Sequence, residues 1–158
     1  MIRNASDFEV IIIGAGNAGT AVAQTCAEVD LPACTIDPSA TGVTYSGRGF
    51  VAGPNSVAML NPQTGDETKL LHAPVIIIAT GSRDGIANTA FLGLRKLGIE
   101  TDPTTGGIFT DAYGRTTCAT VFAVGSCCKP RQDSPSAAAI TAAILALHRA
   151  AVITGSFE

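Results

Sequence analysis

Apolar residues are concentrated in short runs separated by glycine-rich and polar segments, and the first run has the composition of a buried β-strand. It extends from Phe8 to Ile13, is rich in β-branched residues, and is followed directly by the sequence GAGNAG. Residues 20–28 then have helical composition, and a second apolar run from Leu31 to Ile36 ends at Asp37. The order of strand, glycine turn, helix and strand predicts a β-α-β unit.

The spacing of the three glycines is typical of a turn that binds the pyrophosphate of a dinucleotide. Gly14 permits the tight turn, Gly16 lets the backbone approach the phosphates, and Gly19 allows the helix to pack closely on the strand. Free N–H groups at the start of the helix face the phosphates. Asp37 follows Gly14 by 23 residues, the distance at which a carboxylate accepts hydrogen bonds from a ribose diol and repels a 2′-phosphate. The motif predicts dinucleotide binding and disfavours NADP, but it does not separate NAD from FAD.

Later segments predict further strands and a last helix. Residues 74–82, PVIIIATGS, form a continuous apolar strand, and residues 107–126, GIFTDAYGRTTCATVFAVGS, have the pattern of an extended segment, a turn and a buried strand. The polar stretch NPQTGDET at residues 61–68 predicts a hairpin turn. Residues 134–151, SPSAAAITAAILALHRAA, predict a helix with serine as its N-cap and proline at the first helical position.

In this order the segments resemble the FAD domain of the pyridine nucleotide-disulfide oxidoreductases, the family of glutathione reductase, lipoamide dehydrogenase and thioredoxin reductase. Residues 45–60, YSGRGFVAGPNSVAML, are similar to that family's glycine-rich strand under the adenine, and PVIIIATGS is similar to its ATG strand. Residues 88–117 are similar to the passage that returns from its NAD domain. The resemblance covers nearly the whole chain. It implies one three-layer, Rossmann-like α/β FAD-binding domain over residues 1–158, with a central parallel sheet and a small β-meander over roughly residues 43–72.

The resemblance also implies FAD as the cofactor and a set of residues that contact it. Ser126 follows Gly125 where the family has an aspartate that hydrogen-bonds the ribityl chain, and serine can keep one such bond. The first turn of the last helix is expected to point N–H groups at N1 and O2 of the isoalloxazine. The expected contacts are Gly14, Gly16, Asn17, Ala18, Gly19, Asp37, Pro38, Gly49, Thr80, Gly81, Gly125, Ser126, Ser136 and Ala137.

Two parts of the family pattern are missing from the sequence. Only PSATGVT lies between Asp37 and Tyr45, where the family carries a helix with its redox-active cysteine pair. Only RDGIA lies between Ser82 and Asn88, where the family inserts its NAD(P)H-binding domain, and no second GxGxxG motif is present. We also expect no dimerisation domain after residue 158. Disulfide reduction by the usual relay is therefore not expected.

The function that we expect from the sequence is that of a minimal flavoprotein subunit or module in electron transfer. The alternative is a non-catalytic FAD-binding or assembly protein, a natural or engineered remnant of a flavin disulfide reductase. A small NAD-dependent dehydrogenase would need a Tyr-x-x-x-Lys pair, and neither Tyr45 nor Tyr113 has a lysine four residues later. No catalytic residue is assigned.

Composition and charge limit the expected partners and location. Of the 158 residues 46% are hydrophobic, the formal net charge is -3, and Lys and Arg form no block, so neither nucleic acid nor a membrane is expected as a partner. The first residues lack the apolar region of a signal peptide, which favours a cytoplasmic location. The apolar composition predicts a homo-oligomer or a protein redox partner, in contact with the last helix or with residues 83–100.

The five cysteines show no metal-ligand spacing, so we expect reduced thiols and no metal site. Cys26 and Cys34 have the sequence surroundings of core residues. Cys127 and Cys128 lie near the expected flavin and could exchange electrons with it. We favour the other interpretation, in which both are small buried hydrophobic residues.

Overall fold

A five-stranded parallel sheet forms the centre of the protein in the computed structural model, which describes residues 8–28, 30–38, 43–111 and 113–129. In chain order the elements are β1 (Val10–Ile13), α1 (Asn17–Glu28), β2 (Ala33–Asp37), β3 (Tyr45–Ser46), β4 (Arg48–Gly53), β5 (Ser56–Leu60), β6 (Glu67–His72), β7 (Val75–Ile78), β8 (Ser82–Arg83), β9 (Ile86–Ala87), a 3-10 helix (Leu94–Leu97), β10 (Ile108–Phe109), β11 (Val121–Ala123), a 3-10 helix (Gly125–Cys127) and β12 (Cys128–Lys129). The central sheet has the strand order β11-β7-β1-β2-β3.

Strands β1 and β7 lie side by side in the middle of this sheet. Both read VIII and are buried along their whole length. Val10 lies opposite Val75 and Ile13 lies opposite Ile78, while β2 flanks β1 on its other side. A strand that is covered on both faces needs apolar side chains in both directions. This requirement explains why the sequence shows continuous apolar runs here instead of an alternating pattern.

The two faces of the central sheet carry two hydrophobic cores. On one face, Ile11 and Ile76 belong to a buried cluster that includes Val57 of β5. On the other face, Ile12 and Ile77 pack in a second cluster with Val22 and Cys26 of α1. The helix, the parallel sheet and the antiparallel strands are thus three layers, which confirms the predicted three-layer α/β fold.

Strands β4, β5 and β6 form a three-stranded antiparallel meander. The turn between β5 and β6 is held by Asn61, whose side-chain oxygen accepts hydrogen bonds from the backbone N–H groups of Gln63 and Thr64 at 2.8 and 3.2 Å. An asparagine that accepts bonds from the backbone two and three residues later is a common turn former. The hairpin turn predicted at residues 61–68 is therefore confirmed.

The predicted N-terminal boundary of the meander, near residue 43, is wrong. Tyr45 and Ser46 form β3, which pairs in parallel with the end of β2 and extends the central sheet. The backbone N–H of Gly47 then donates to the carbonyl of Asp37 at 3.2 Å. The chain leaves the central sheet only after this bond, and the meander begins at Arg48.

Strands β8 and β9 form a short hairpin that is closed by Asp84 and Gly85. Both turn residues have a positive φ, 53° for Asp84 and 81° for Gly85. Positive φ at both central positions is characteristic of a type I′ turn, and Asp-Gly is one of its preferred sequences because both residues tolerate this conformation. The short connection between Ser82 and Asn88 is therefore a regular hairpin.

Helix α1 begins at Asn17, three residues before the segment of helical composition, and its C-terminal end is fixed by a change of backbone conformation. Asp30 has a φ of 57°, and the N–H of Leu31 donates to the carbonyl of Cys26 at 2.9 Å. The helix expected at residues 134–151 lies outside the described residues. Among the residues that the structure describes, no helix is both long and apolar enough to cross a membrane.

Candidate functional site

The three glycines of the GAGNAG turn occupy different environments. Gly14 has a φ of +112°, and a Cβ built on it would overlap the backbone carbonyl oxygen of Ala79. A Cβ on Gly19 would overlap the carbonyl oxygen of Gly14. By contrast, Gly16 is exposed and a Cβ on it would have no neighbour within 4 Å. Gly14 and Gly19 are therefore required by close packing, whereas the space beside Gly16 is open to a ligand.

Asp37, at the carboxyl end of β2, is tied to the glycine turn. Its Oδ2 accepts a hydrogen bond from the backbone N–H of Ala15 at 3.0 Å. The N–H of Gly14 donates to the carbonyl of Ile36 at 2.9 Å, so the backbone of the turn is held from the same strand. The predicted ribose-binding carboxylate thus lies directly beside the predicted phosphate-binding turn.

A cleft of about 640 Å³ opens at the carboxyl ends of β1, β2 and β7. Its volume is within the range of roughly 300–1,000 Å³ that is usual for ligand pockets. In open parallel sheets, ligands bind outside the carboxyl ends of the strands. The predicted contacts that line this cleft are Gly14, Asp37, Pro38, Gly49 and Thr80. The meander packs close to β1 at this point, since a Cβ on Gly49 would be 3.0 Å from a methyl carbon of Ile13.

The hydroxyl of Thr80, just after β7, is a buried polar group in the wall of the cleft. Among the described residues, no nitrogen or oxygen atom forms a hydrogen bond with this hydroxyl, and its neighbour is the Cys127 sulfur, a weak acceptor. The Thr80 carbonyl, by contrast, accepts a bond from the side-chain nitrogen of Asn88 at 3.0 Å. A buried hydroxyl that has only a weakly accepting sulfur beside it in the described part of the chain is a natural hydrogen-bonding point for a ligand.

Of the remaining predicted contacts, Ser126 lines a second, smaller cavity of about 220 Å³. A Cβ on Gly81 would be 3.8 Å from the hydroxyl oxygen of Ser126. Gly125 has a φ of +83°, and a Cβ on it would be 2.8 Å from the Cβ of Ala18 in α1. The structure therefore brings Ala18, Gly81, Gly125 and Ser126 together next to the turn. Ser136 and Ala137 lie outside the described residues.

Several side chains of the cleft were not anticipated from the sequence. The cleft is also lined by Arg48 from β4, by Arg83 and Ile86 from the β8-β9 hairpin, and by Phe91. The guanidinium carbon of Arg48 is 5.1 Å from the centre of the Phe91 ring. Arg48 and Phe91 lie in segments that resemble the family pattern, but these segments are far apart in the chain, so only the fold reveals that the two side chains are neighbours.

Comparison with known proteins gives the family of the chain. Residues 51–146, more than half of the sequence, match the profile of the family described as pyridine nucleotide-disulphide oxidoreductase. The chain belongs to this family. No curated protein sequence matches this oxidoreductase-family chain.

Solved structures with the same fold cover most of this pyridine nucleotide-disulphide oxidoreductase chain. An oxidoreductase from Agrobacterium tumefaciens is 13% identical with a TM-score of 0.60, over 93% of this chain and 99% of the other. A thioredoxin reductase from Gloeobacter violaceus is 13% identical with a TM-score of 0.62, over 96% of this chain and 97% of the other. A flavoprotein disulfide reductase from Escherichia coli is 10% identical with a TM-score of 0.66, over 94% of this chain and 71% of the other. At these identities the likeness shows a shared fold.

Cys128 lines the smaller cavity of this chain, and Cys127 is the residue before it. The Cys127 thiol is buried and donates to the carbonyls of Val124 and Ile78 at 3.3 and 3.7 Å. A hydrogen bond from Cys128 lowers the pKa of Cys127 below its ordinary value, and the N–H groups of Thr80 and Gly81 act in the same direction against burial. The same bond and burial raise the pKa of Cys128.

None of the five cysteines forms a disulfide bond, in agreement with the prediction of reduced thiols. Cys26 and Cys34 are core residues, as expected, with exposed fractions of 1% and 0%. Burial raises the pKa of Cys26. Within the described ranges, no group of three or more His, Cys, Asp or Glu side chains is arranged to hold a metal ion.

Proposed function

We propose that the cleft at the carboxyl ends of β1, β2 and β7 binds FAD. The observation that carries this proposal is the meeting of three features in one cleft: the glycine turn, the Asp37 carboxylate and the buried Thr80 hydroxyl, which has no nitrogen or oxygen partner among the described residues. FAD is favoured over NAD because of the family to which residues 51–146 belong and the likeness of the ATG strand.

The residues present fit this cofactor. The N–H groups of Gly14 and Ala15 are bonded to β2, so the backbone N–H groups of Gly16, Asn17 and Ala18 would hold the pyrophosphate, in the open space beside Gly16. Asp37 would accept hydrogen bonds from the adenosine ribose, and Ser126 would hydrogen-bond the ribityl chain. When bound, the flavin supplies the one- and two-electron redox chemistry, while the protein supplies binding and electrostatics.

The absorption spectrum of the purified chain tests the cofactor. We expect a yellow protein, or a protein whose melting temperature rises more with added FAD than with FMN or NAD, because ligands that bind only the folded state stabilise it. A colourless chain whose melting temperature does not respond to FAD contradicts the proposal.

We further propose that the domain acts as a minimal electron-transfer module. Its support is the β8-β9 hairpin, which directly joins two parts of the cleft wall at the point where the family resemblance implies an inserted NAD(P)H domain. Without such a domain, the isoalloxazine would be open to small acceptors and to protein partners.

Reduction of the FAD-loaded chain separates this role from that of a non-catalytic FAD-binding or assembly protein. After anaerobic reduction with dithionite, we expect rapid reoxidation by oxygen or by an external acceptor. NADH-dependent reduction of glutathione disulfide or lipoamide should remain close to the rate of free FAD. A reduced flavin that no acceptor reoxidises favours the non-catalytic alternative, and brisk disulfide turnover contradicts the minimal-module proposal.

A further inference from the structure

Two exposed apolar side chains lie at the mouth of the large cleft. Phe91 is 67% exposed and Ile86 is 52% exposed, and both belong to the cleft lining. The other large hydrophobic residues that are exposed in the described part of the chain, Leu70, Phe109 and Tyr113, do not line it. Exposed apolar side chains that are grouped in one place are typical of a surface that another protein covers.

Basic residues are concentrated in the same part of the chain. Residues 82–97, from the β8-β9 hairpin to the end of the first 3-10 helix, include three basic residues and one acidic residue. Their net charge is therefore +2, in a chain whose net charge is -3. Arg48 adds a fourth cation from β4, with its guanidinium carbon 5.1 Å from the centre of the Phe91 ring. We define the basic surface as these four cations and the two apolar side chains: Arg48, Arg83, Ile86, Phe91, Arg95 and Lys96.

The cations of the basic surface are open to a partner. Arg83, Arg95 and Lys96 are exposed. The ion pairs that the described part of the chain shows, Asp111 with Arg115 and Asp102 with Lys129, involve none of the four. Surface charge of one sign attracts proteins of the opposite charge and raises the rate at which they associate. The charge of this surface therefore favours an acidic partner.

The backbone after Phe91 is held against the rest of the domain. The carbonyl of Leu92 accepts a hydrogen bond from the N–H of Val51 in β4 at 2.8 Å. Gly98, just after the 3-10 helix, has a φ of 71° and donates its N–H to the carbonyl of Arg95 at 3.1 Å. This part of the basic surface is therefore ordered before a partner binds, which lowers the entropic cost of association.

The β8-β9 hairpin connects the basic surface to the expected position of the flavin. Arg83 and Ile86 of the hairpin line the large cleft, whereas Ser82 and Gly85 line the smaller cavity together with Ser126. Ser126 is the residue that we assign to the ribityl chain. A protein seated on the hairpin would therefore lie beside the ribityl end of the cofactor.

We infer that the basic surface docks an acidic electron-carrier protein, which reoxidises the flavin. Reduced FAD would give up two electrons and two protons; two molecules of a one-electron carrier would each accept one electron, and the protons would pass to solvent. Aromatic and arginine side chains contribute most at the centres of protein interfaces, and complementary charge steers the partner to them. The inference rests on the proposed FAD site.

Stopped-flow reoxidation tests this surface, with rubredoxin as an acidic one-electron carrier and cytochrome c as a basic one. The FAD-loaded chain is reduced anaerobically with one equivalent of dithionite and mixed with either oxidised carrier. We expect the rate with rubredoxin to fall about tenfold between roughly 20 mM and 300 mM salt, because salt screens the attraction between opposite charges. The rate with cytochrome c should show no such fall.

Two charge-reversed proteins locate the effect. Arg95→Glu combined with Lys96→Glu should lower the rate with rubredoxin about tenfold at low salt. The same protein should be reoxidised by oxygen within about twofold of the parent rate, because oxygen is uncharged and the two residues lie outside the cofactor cleft. The control, Lys69→Glu combined with Arg115→Glu, makes the same change of net charge away from the basic surface and should lower the rubredoxin rate less than about threefold.

The outcomes separate the docking surface from the cofactor site. If rubredoxin reacts equally fast with the parent chain and with the Arg95→Glu, Lys96→Glu protein, while oxygen reoxidises both, the docking surface is overturned and the FAD site stands. If that protein also sediments as a monomer where the parent chain associates, the basic surface binds a second copy instead. A parent chain that binds no FAD overturns the proposed function itself.

Discussion

Gly14 and Gly19 are the residues on which the geometry of the turn depends most directly. Each lacks space for a single carbon atom, since a Cβ at either position would overlap a backbone carbonyl oxygen. Backbone atoms cannot rotate away as a flexible side chain can. The close approach of β1, α1 and the segment after β7 therefore depends on these two glycines.

We expect Gly14→Ala and Gly19→Ala to lower the free energy of unfolding by roughly 2 kcal/mol or more, because overpacking and backbone strain add. Gly16→Ala serves as the control and should change the free energy of unfolding by less than about 1 kcal/mol, since its Cβ would meet open space. Urea denaturation measures all three. Equal stability of the Gly14, Gly16 and Gly19 variants would show that the turn does not pack as described.

Asp102 should make stability depend on pH in the acid range. A hydrogen bond from Lys129, together with the N–H groups of Thr104 and Thr105, lowers the pKa of Asp102 below its ordinary value of 3.8. A carboxyl with a lowered pKa in the folded state stabilises the fold above its unfolded pKa, and this contribution is lost as pH falls through the folded value.

The variant Asp102→Asn removes this titration. We expect the parent chain to lose melting temperature more steeply than Asp102→Asn as the pH is lowered from 5 to 2. Parallel curves for the two proteins would mean that the Asp102 carboxylate is not held by Lys129.

At the scale of elements, the β8-β9 hairpin is the most testable part of the cleft wall. Gly85 has a φ of 81°, which valine adopts only at a cost of about 1–2 kcal/mol. Because Arg83 and Ile86 of the hairpin line the cleft, Gly85→Val should weaken FAD binding severalfold. Asp84→Asn is the control, since asparagine also favours the type I′ turn, and it should bind FAD like the parent chain. Titration of both variants with FAD shows whether the conformation of the hairpin affects binding. Equal FAD affinity of Gly85→Val and the parent chain would contradict this.

The strands β1 and β7 and the helix α1 could be predicted from the sequence, whereas strand β3 and the hairpin β8-β9 could not. Strands β1 and β7 are recognisable in the sequence because a strand buried on both faces requires an unbroken apolar run. Helix α1 is predicted by the glycine turn before it. Strand β3 and the hairpin β8-β9 have two residues per strand, too few for any periodic signal. The contact between Arg48 and Phe91 joins residues far apart in the chain, so only the folded structure brings it to light.

At the scale of the whole molecule, self-association stays a prediction. One of its two expected surfaces, the last helix, lies outside the described residues. The other, residues 83–100, includes Ile86, which is 52% exposed. Exposed apolar surface of this kind favours association of subunits. Sedimentation equilibrium should therefore give a mass above that of the 16.0 kDa chain, and a monomer at high micromolar concentration would contradict the prediction.

Binding of FAD by the parent chain and by Gly16→Val tests the central claim most directly. Gly16 is exposed, and a Cβ on it would have no neighbour within 4 Å, so the variant should fold normally. Its side chain would, however, occupy the space that we assign to the pyrophosphate. Calorimetry should show one FAD bound per parent chain and an affinity at least tenfold weaker for Gly16→Val, at nearly equal melting temperature without ligand. Equal FAD affinity in the two proteins, or no binding by the parent chain, would contradict a dinucleotide site at the glycine turn.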